Sequence, residues 1–301
     1  MDFRPTPDQA ALMTALERLV EPFAAPPTDF RRFTLESEEL ESQLEAAEFF
    51  DIAETPGLGP VAAALAVERL ARLPCTAEVA LSMLVRPHLR NGRWPRPLAF
   101  VERGRPARFL TRAKTVLVAD GEGLGVAFLS RGNAAAVNSL FAYPMGALDA
   151  DVAVKALEPE EGAEVRRWLR VALAAEAAGL MQAAIDSTVE HLSVRQQFGR
   201  PLGTFQALRH RLSECAVLAG GVKWLALEAA GTQDSGAAAL AAFHAQQSAA
   251  RLTYDLHQML GAMGVTLEHP LHLWTYRLKA LQSELGGHGA QAQAVAQLCF
   301  P

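Results

Sequence analysis

Between residues 194 and 212 the chain reads VRQQFGRPLGTFQALRHRL, an interruption in an otherwise helical pattern that gathers side chains able to hold a ligand. Arg195 brings a cation, Gln197 and Gln206 bring amides, Phe198 and Phe205 bring aromatic surface, and the Gly-Arg-Pro-Leu-Gly break supplies backbone freedom between them. Taken one residue at a time, plainer readings also stand. Arg195 could be a solvated cation at a helix C-terminus, the two Phe residues could be core, and Gln206 and the later Gln258 could be surface amides.

The chain has to position that segment, and its composition limits how. With 301 residues, half of them hydrophobic, it can build a sizeable core in one large domain or in two or three modest ones. Twenty-eight Lys and Arg against 33 Asp and Glu give a net charge of -5, with no basic block, which argues against a nucleic-acid partner. Any anionic ligand must be met locally. Cys75, Cys215 and Cys299 are odd in number and scattered, as expected of reduced thiols in a cytoplasmic protein. Neither they nor His210, His257, His269 and His288 have metal-ligand spacing, so no metal site is expected. The opening MDFRPTPDQA lacks a signal-peptide pattern and no long uninterrupted apolar run follows, so no membrane association is expected either.

Three textures divide the chain. Residues 1–85 read as a helical domain: Thr6-Pro7-Asp8-Gln9 has the form of a capping box, Leu12, Leu16, Leu19 and Phe23 follow at helical spacing, and 44–52 and 61–73 are further helices around the turn-rich ETPGLGP. Residues 86–160 support a small β-domain of a few strands, LAFV at 98–101, TVLVA at 115–119 and GVAFLS at 125–130, with Asp120-Gly121 turning a hairpin. From 161 to 301 the helical period returns as four helices: one carrying Val171, Ala174, Ala178, Met181, Ile185, Thr188 and Leu192 on a buried face, then about 205–230, 237–263 and 271–285. Four helices with short connections make a bundle, in which Trp168, Trp224 and Trp274 are expected to be core.

The run GLMQAAIDSTVEHLSVRQQFGRPLGTFQALRHRL resembles the C-terminal bundle of the acyl-CoA dehydrogenase family, in which an Arg is followed by Phe-Gly, Pro-Leu and Phe-Gln. QMLGAMGVTLEHPL at 258–271 resembles that family's second signature, and FRPTPDQAALMTALERLVEPF resembles its opening helix. The resemblance implies a mainly α fold of N-terminal helical domain, small β-domain and C-terminal four-helix bundle. It further implies FAD bound at a subunit interface, with Arg195, Gln197, Phe198 and Gln206 reaching the dinucleotide of a neighbouring chain and Gln258 and Gly261 approaching its phosphates. The reaction implied is α,β-dehydrogenation of an acyl-CoA thioester by a homo-oligomer, a dimer or tetramer. An alternative is a non-catalytic or half-site subunit paired with a related acyl-CoA dehydrogenase chain; a cofactor-free helical scaffold is a third.

The sequence also departs from the family. No Thr-Glu-Pro or Gly-Ser-Asp loop occurs between residues 80 and 115, Ala262 stands where a second Gly is common, and both family positions for the catalytic Glu hold leucine, Leu169 and Leu285. Glu284, one residue before the second position, is the candidate catalytic base. Glu176 lies six residues beyond Arg170, roughly 240° around the helix, and is a poor substitute for Leu169.

Overall fold

In the computed structural model, residues 4–29, 35–90, 94–121, 123–130 and 132–300 are described. The N-terminal region is helical: α1 Pro7–Val20, α2 Glu38–Ala46, α3 Gly59–Ala71 and the short α4 Ala80–Leu84. The capping box forms, with Thr6 Oγ1 accepting from the Gln9 amide at 3.2 Å and the Gln9 side chain accepting from the Thr6 amide at 3.1 Å. The helix expected over 44–52 is instead split, because Glu48 turns into the left-handed region (φ 59°) and Phe49–Glu54 continues as a 3-10 turn. That kink drives Phe49, Phe50 and Ile52 into the core together.

The middle of the chain holds more strands than the sequence indicated. β1 Leu98–Glu102, β3 Thr115–Asp120, β4 Gly123–Phe128 and β7 Lys155–Ala156 form one sheet in the order β1-β3-β4-β7, with β1 and β3 parallel; β2 Ala107–Arg108, β6 Met145–Leu148 and β5 Ala134–Val137 form a second, antiparallel one. The β3–β4 hairpin turns where Asp120-Gly121 predicted, pairing Asp120 with Gly123; Glu122 lies outside the described residues. β2, β5, β6 and β7 were not expected, because strands of two to four residues carry almost no periodic signal.

The C-terminal bundle is built on α5 Pro159–Val194, α6 Gln206–Thr232, α7 Ser235–Leu260 and α8 His272–Leu281, and a further helix, α9 Gly287–Cys299, packs against α7. The expected fourth helix stops at Leu281 rather than at 285; Leu285 and Gly286 both have positive φ, which breaks the helix before α9 begins. All seven predicted face residues of α5 are buried, but so are Ala172, Ala175, Ala177, Leu180, Ala183 and Ala184 around the rest of its circumference. α5 is therefore the central helix, with α3, α6, α7 and α8 all against it. Although it is long and apolar enough to cross a membrane, its apolar stretch is buried within the fold. Gly179 permits the closest of these approaches: a Cβ there would stand 2.0 Å from the Glu68 carbonyl oxygen of α3. Trp168 and Trp274 are core as expected, whereas Trp224 is 47% exposed on α6, a correction to the expectation that all three are internal.

Candidate functional site

The 195–206 segment forms a small projecting hairpin. α5 ends as the Arg195 amide donates to the His191 carbonyl at 2.9 Å. The chain then pairs Gln196 with Pro201 (β8 Gln196–Gln197, β9 Arg200–Pro201) and Gln197 with Arg200, and the Leu202 amide returns to the Arg195 carbonyl at 2.8 Å. The two turn residues, Phe198 and Gly199, have φ of 55° and 78°. Two-residue hairpins favour turns with two positive φ angles. Gly199 meets that need without strain, but a bulky aromatic in the left-handed region is an outlier.

The outlier sets the hairpin's chemistry. Phe198 is 88% exposed and meets Phe205 edge to face at 5.9 Å between ring centroids, while the Arg200 guanidinium lies 4.1 Å over the Phe205 ring. Gln206 is exposed and reaches His210 at 3.3 Å; Gln197 bonds the Gln196 carbonyl at 2.8 Å. Arg195 is exposed, and its guanidinium has no carboxylate partner among the described residues. A cation, an aromatic face and amides thus point out of the molecule, not into a cavity of this chain.

Gln258 and Gly261 lie at the same end of the bundle. α5 packs against α7, and the His191 ring, one turn before Arg195, meets His269 of the α7–α8 connection at 5.2 Å. Gln258 is exposed in the last turn of α7. Gly261 ends the helix with φ 60° and ψ −133°, and no atom crowds the position of its missing Cβ. A flat anionic ligand laid across this end would find Arg195 for its charge, Phe198 for stacking and the open backbone at Gly261.

Glu284 is elsewhere, in the turn between α8 and α9, and it is not free. Arg108 of β2 donates from Nε to Glu284 Oε1 at 2.6 Å and from Nη1 to Glu176 Oε2 at 2.6 Å, while the Tyr143 hydroxyl donates to Glu176 Oε1 at 2.7 Å. Arg108 and Glu176 are almost wholly buried; the Glu284 side chain keeps 21% exposure. Burial pushes the Glu284 carboxyl above its usual range against the opposing pull of Arg108, and it raises the Tyr143 hydroxyl well above its usual value, with Glu176 adding to the shift. The cleft that Glu284 lines with Phe100, Glu102, Met145 and Ala280 holds only about 60 Å³, room for about two waters. A neighbouring cleft of about 280 Å³ lies beside Arg166, Arg170, Gly286 and Gln291; there Arg170 donates to Gln291 at 2.8 Å, and burial and Arg166 push its pKa down to about 10. Leu169 and Leu285 are both buried.

Sequence reasoning missed Arg108 and Tyr143 entirely and treated Glu176 only as a misplaced base. The signal for Glu176 was present: it is the sole charged residue in RVALAAEAAGLMQAAI after the opening Arg, and a carboxylate that deep in an apolar helix requires a buried partner.

Residues 166–299 match the acyl-CoA dehydrogenase C-terminal domain. That C-terminal region belongs to the acyl-CoA dehydrogenase family. Curated relatives include acyl-CoA dehydrogenase FadE34 of Mycobacterium tuberculosis, 37% identical over 46% of this chain and 20% of that protein, and acyl-CoA dehydrogenase IpdE2 of Mycolicibacterium smegmatis, 33% identical over 38% of this chain and 37% of that protein. The matches thus span well under half of each relative's own length. Among solved structures, the ChsE4–ChsE5 complex from Mycobacterium tuberculosis has a TM-score of 0.78 at 19% identity, and butyryl-CoA dehydrogenase from Megasphaera elsdenii has 0.76 at 20%, each over 100% of both chains. At that identity the likeness is one of acyl-CoA dehydrogenase fold.

Proposed function

We propose that this chain is a subunit of an FAD-dependent acyl-CoA dehydrogenase that supplies half of a cofactor site to a related partner chain. The observation that carries this reading is the hairpin: Phe198 stands 88% exposed in a strained turn beside an Arg195 that has no carboxylate partner among the described residues. Exposed apolar surface held at a conformational cost fits a contact made outside the chain. The residues present suit FAD: Arg195 would neutralise phosphate charge, Phe198 would cover an aromatic ring, Gln197 and Gln206 would bond polar edges, and Gln258 and Gly261 would let backbone approach the phosphates. FAD, once bound, would accept the hydride from the β carbon of the acyl group.

The proton from the α carbon would go to a base in the partner, because Glu284 is neutralised by Arg108 and its cleft of about 60 Å³ is too small for a thioester. That a ChsE4–ChsE5 complex shares the fold is compatible with a heteromer. One observation favours a second reading, a self-sufficient homo-oligomer in which Glu284 is the base: its carboxyl is pushed upward, the direction a base working near neutral pH requires.

The absorbance spectrum of the purified chain, alone and mixed with a related acyl-CoA dehydrogenase chain, tests the proposal. A colourless chain that yields a yellow complex only with the partner is the expected result. A stoichiometrically yellow homo-oligomer whose flavin is bleached by an acyl-CoA would overturn it in favour of the second reading.

A further inference from the structure

Four histidines that the proposed site does not use converge at the foot of the hairpin. His191 lies in the last turn of α5, His257 in the last turn of α7, His269 in the connection that follows, and His272 at the start of α8. His191 and His269 meet edge to face at 5.2 Å, and Tyr276 of α8 lies against both His257 and His272, at 6.3 and 6.0 Å.

The hydrogen bonds fix the protonation of this cluster. The Leu271 amide donates to His269 Nδ1 at 3.2 Å, so that nitrogen carries no proton. His257 Nδ1 faces the Gly264 carbonyl and must donate to it, while its Nε2 lies 2.8 Å from the Thr275 hydroxyl; His272 Nδ1 lies 3.0 Å from the His269 carbonyl. The imidazoles of His257 and His272 therefore tie the connection to α7 and α8, while that of His269 closes the connection's last turn onto the Leu271 amide, which it can do only while Nδ1 is unprotonated.

The charges that bear on His269 are one-sided. α5 presents His191 with Arg195 beyond it, α7 presents His257, and α8 presents His272 with Lys279 near His257. The carboxylates adjacent in sequence, Glu190 and Glu268, are exposed, and among the described residues neither forms an ion pair with His191, His257 or His269. Burial and the three other histidines lower the His269 pKa to about 4.

We infer that this cluster is an acid-sensitive latch: with His269 neutral the α7–α8 connection is closed onto the end of α5, and its protonation breaks the bond to the Leu271 amide and drives the connection away from His191. Opening would loosen Gly261 and the foot of the hairpin at Arg195. The latch itself needs no cofactor, and only its consequence for FAD rests on the proposed function.

In the open segment the imidazole would titrate near 6.5, its ordinary value, so the closed form is favoured above that pH and progressively lost as pH falls towards the closed-state value of about 4. Hydrogen exchange read by mass spectrometry on the chain without FAD tests this independently of the proposed function. Between pH 7 and pH 5, protection factors over residues 262–272 should fall on the order of tenfold, while those of 215–229 in α6 hold. His269→Gln, which keeps an acceptor for the Leu271 amide but does not titrate, should abolish the fall; His191→Gln, which removes the facing imidazole, should reduce it and serves if the first variant does not fold. Flat protection in the wild type, or an equal fall in the variants, would overturn the latch.

Discussion

Arg108 and Glu284 are 176 positions apart in sequence and meet at 2.6 Å. Because the same guanidinium also holds Glu176 at 2.6 Å, one cation is shared by two carboxylates at the junction of β2, α5 and the α8–α9 turn. The carboxylate nearest the family's position for a catalytic base is thereby engaged in holding the β-domain to the bundle.

Replacing Arg108 by Met should therefore be severe. It strands Glu176 without its cation, and loss of one partner from a buried pair costs about 3–5 kcal/mol. Glu284→Gln should cost no more than about 1 kcal/mol, since Arg108 keeps Glu176 and the lost pair is partly solvated. Urea unfolding of both variants measures the difference; a reversed order would make Glu284 the principal anchor.

Arg195→Ala should leave the stability of the chain unchanged, because the side chain is exposed, and should weaken FAD in the assembled protein. The loss of a charge-assisted contact of about 1.5–3 kcal/mol corresponds to roughly ten- to a hundredfold in affinity. Arg209→Ala, on an exposed position of α6, is the control. Equal affinities for wild type and Arg195→Ala in an equilibrium titration would return Arg195 to the role of a solvated helix-end cation.

Phe198→Gly should separate stability from binding. Glycine accepts the φ of 55° that strains a side chain, so the variant should gain about 1 kcal/mol of stability, while FAD affinity should fall with the loss of the aromatic face. Thermal unfolding and cofactor titration on the same preparation check both halves. A variant that loses stability would show that the Phe198–Phe205 contact outweighs the strain.

His88 provides an acid-sensitive element remote from the latch. Its ring stacks on Trp168 at 4.0 Å, its Nε2 is buried without a hydrogen-bond partner among the described residues, and burial lowers its pKa to about 4 despite Glu164 nearby. A lowered histidine pKa means that the neutral form is the folded one, so stability is complete above about pH 6.5 and declines as pH falls towards 4, by on the order of 2–3 kcal/mol. His88→Phe retains the stacking and should remove that part of the decline. Denaturant titrations at pH 7 and pH 4.5 would show it, and equal losses in both proteins would assign the acid sensitivity elsewhere.

The sequence by itself determined the local features. Thr6 and Gln9 cap α1, Asp120-Gly121 turns the β3–β4 hairpin, the helical period returns near 161 within two residues of the start of α5, and Arg195, Gln197, Phe198 and Gln206 form one segment, because each is set by hydrogen bonds and backbone preferences within a few residues. The mainly α fold was legible for the same reason: long helical periods repeat a local pattern many times. Tertiary structure decided what those groups face. That α5 is buried all round, and that β2 carries Arg108 to both Glu176 and Glu284, depend on contacts between residues tens to hundreds of positions apart. Whether a carboxylate is free to act as a base follows from the charge packed across from it, and no local spacing encodes that charge.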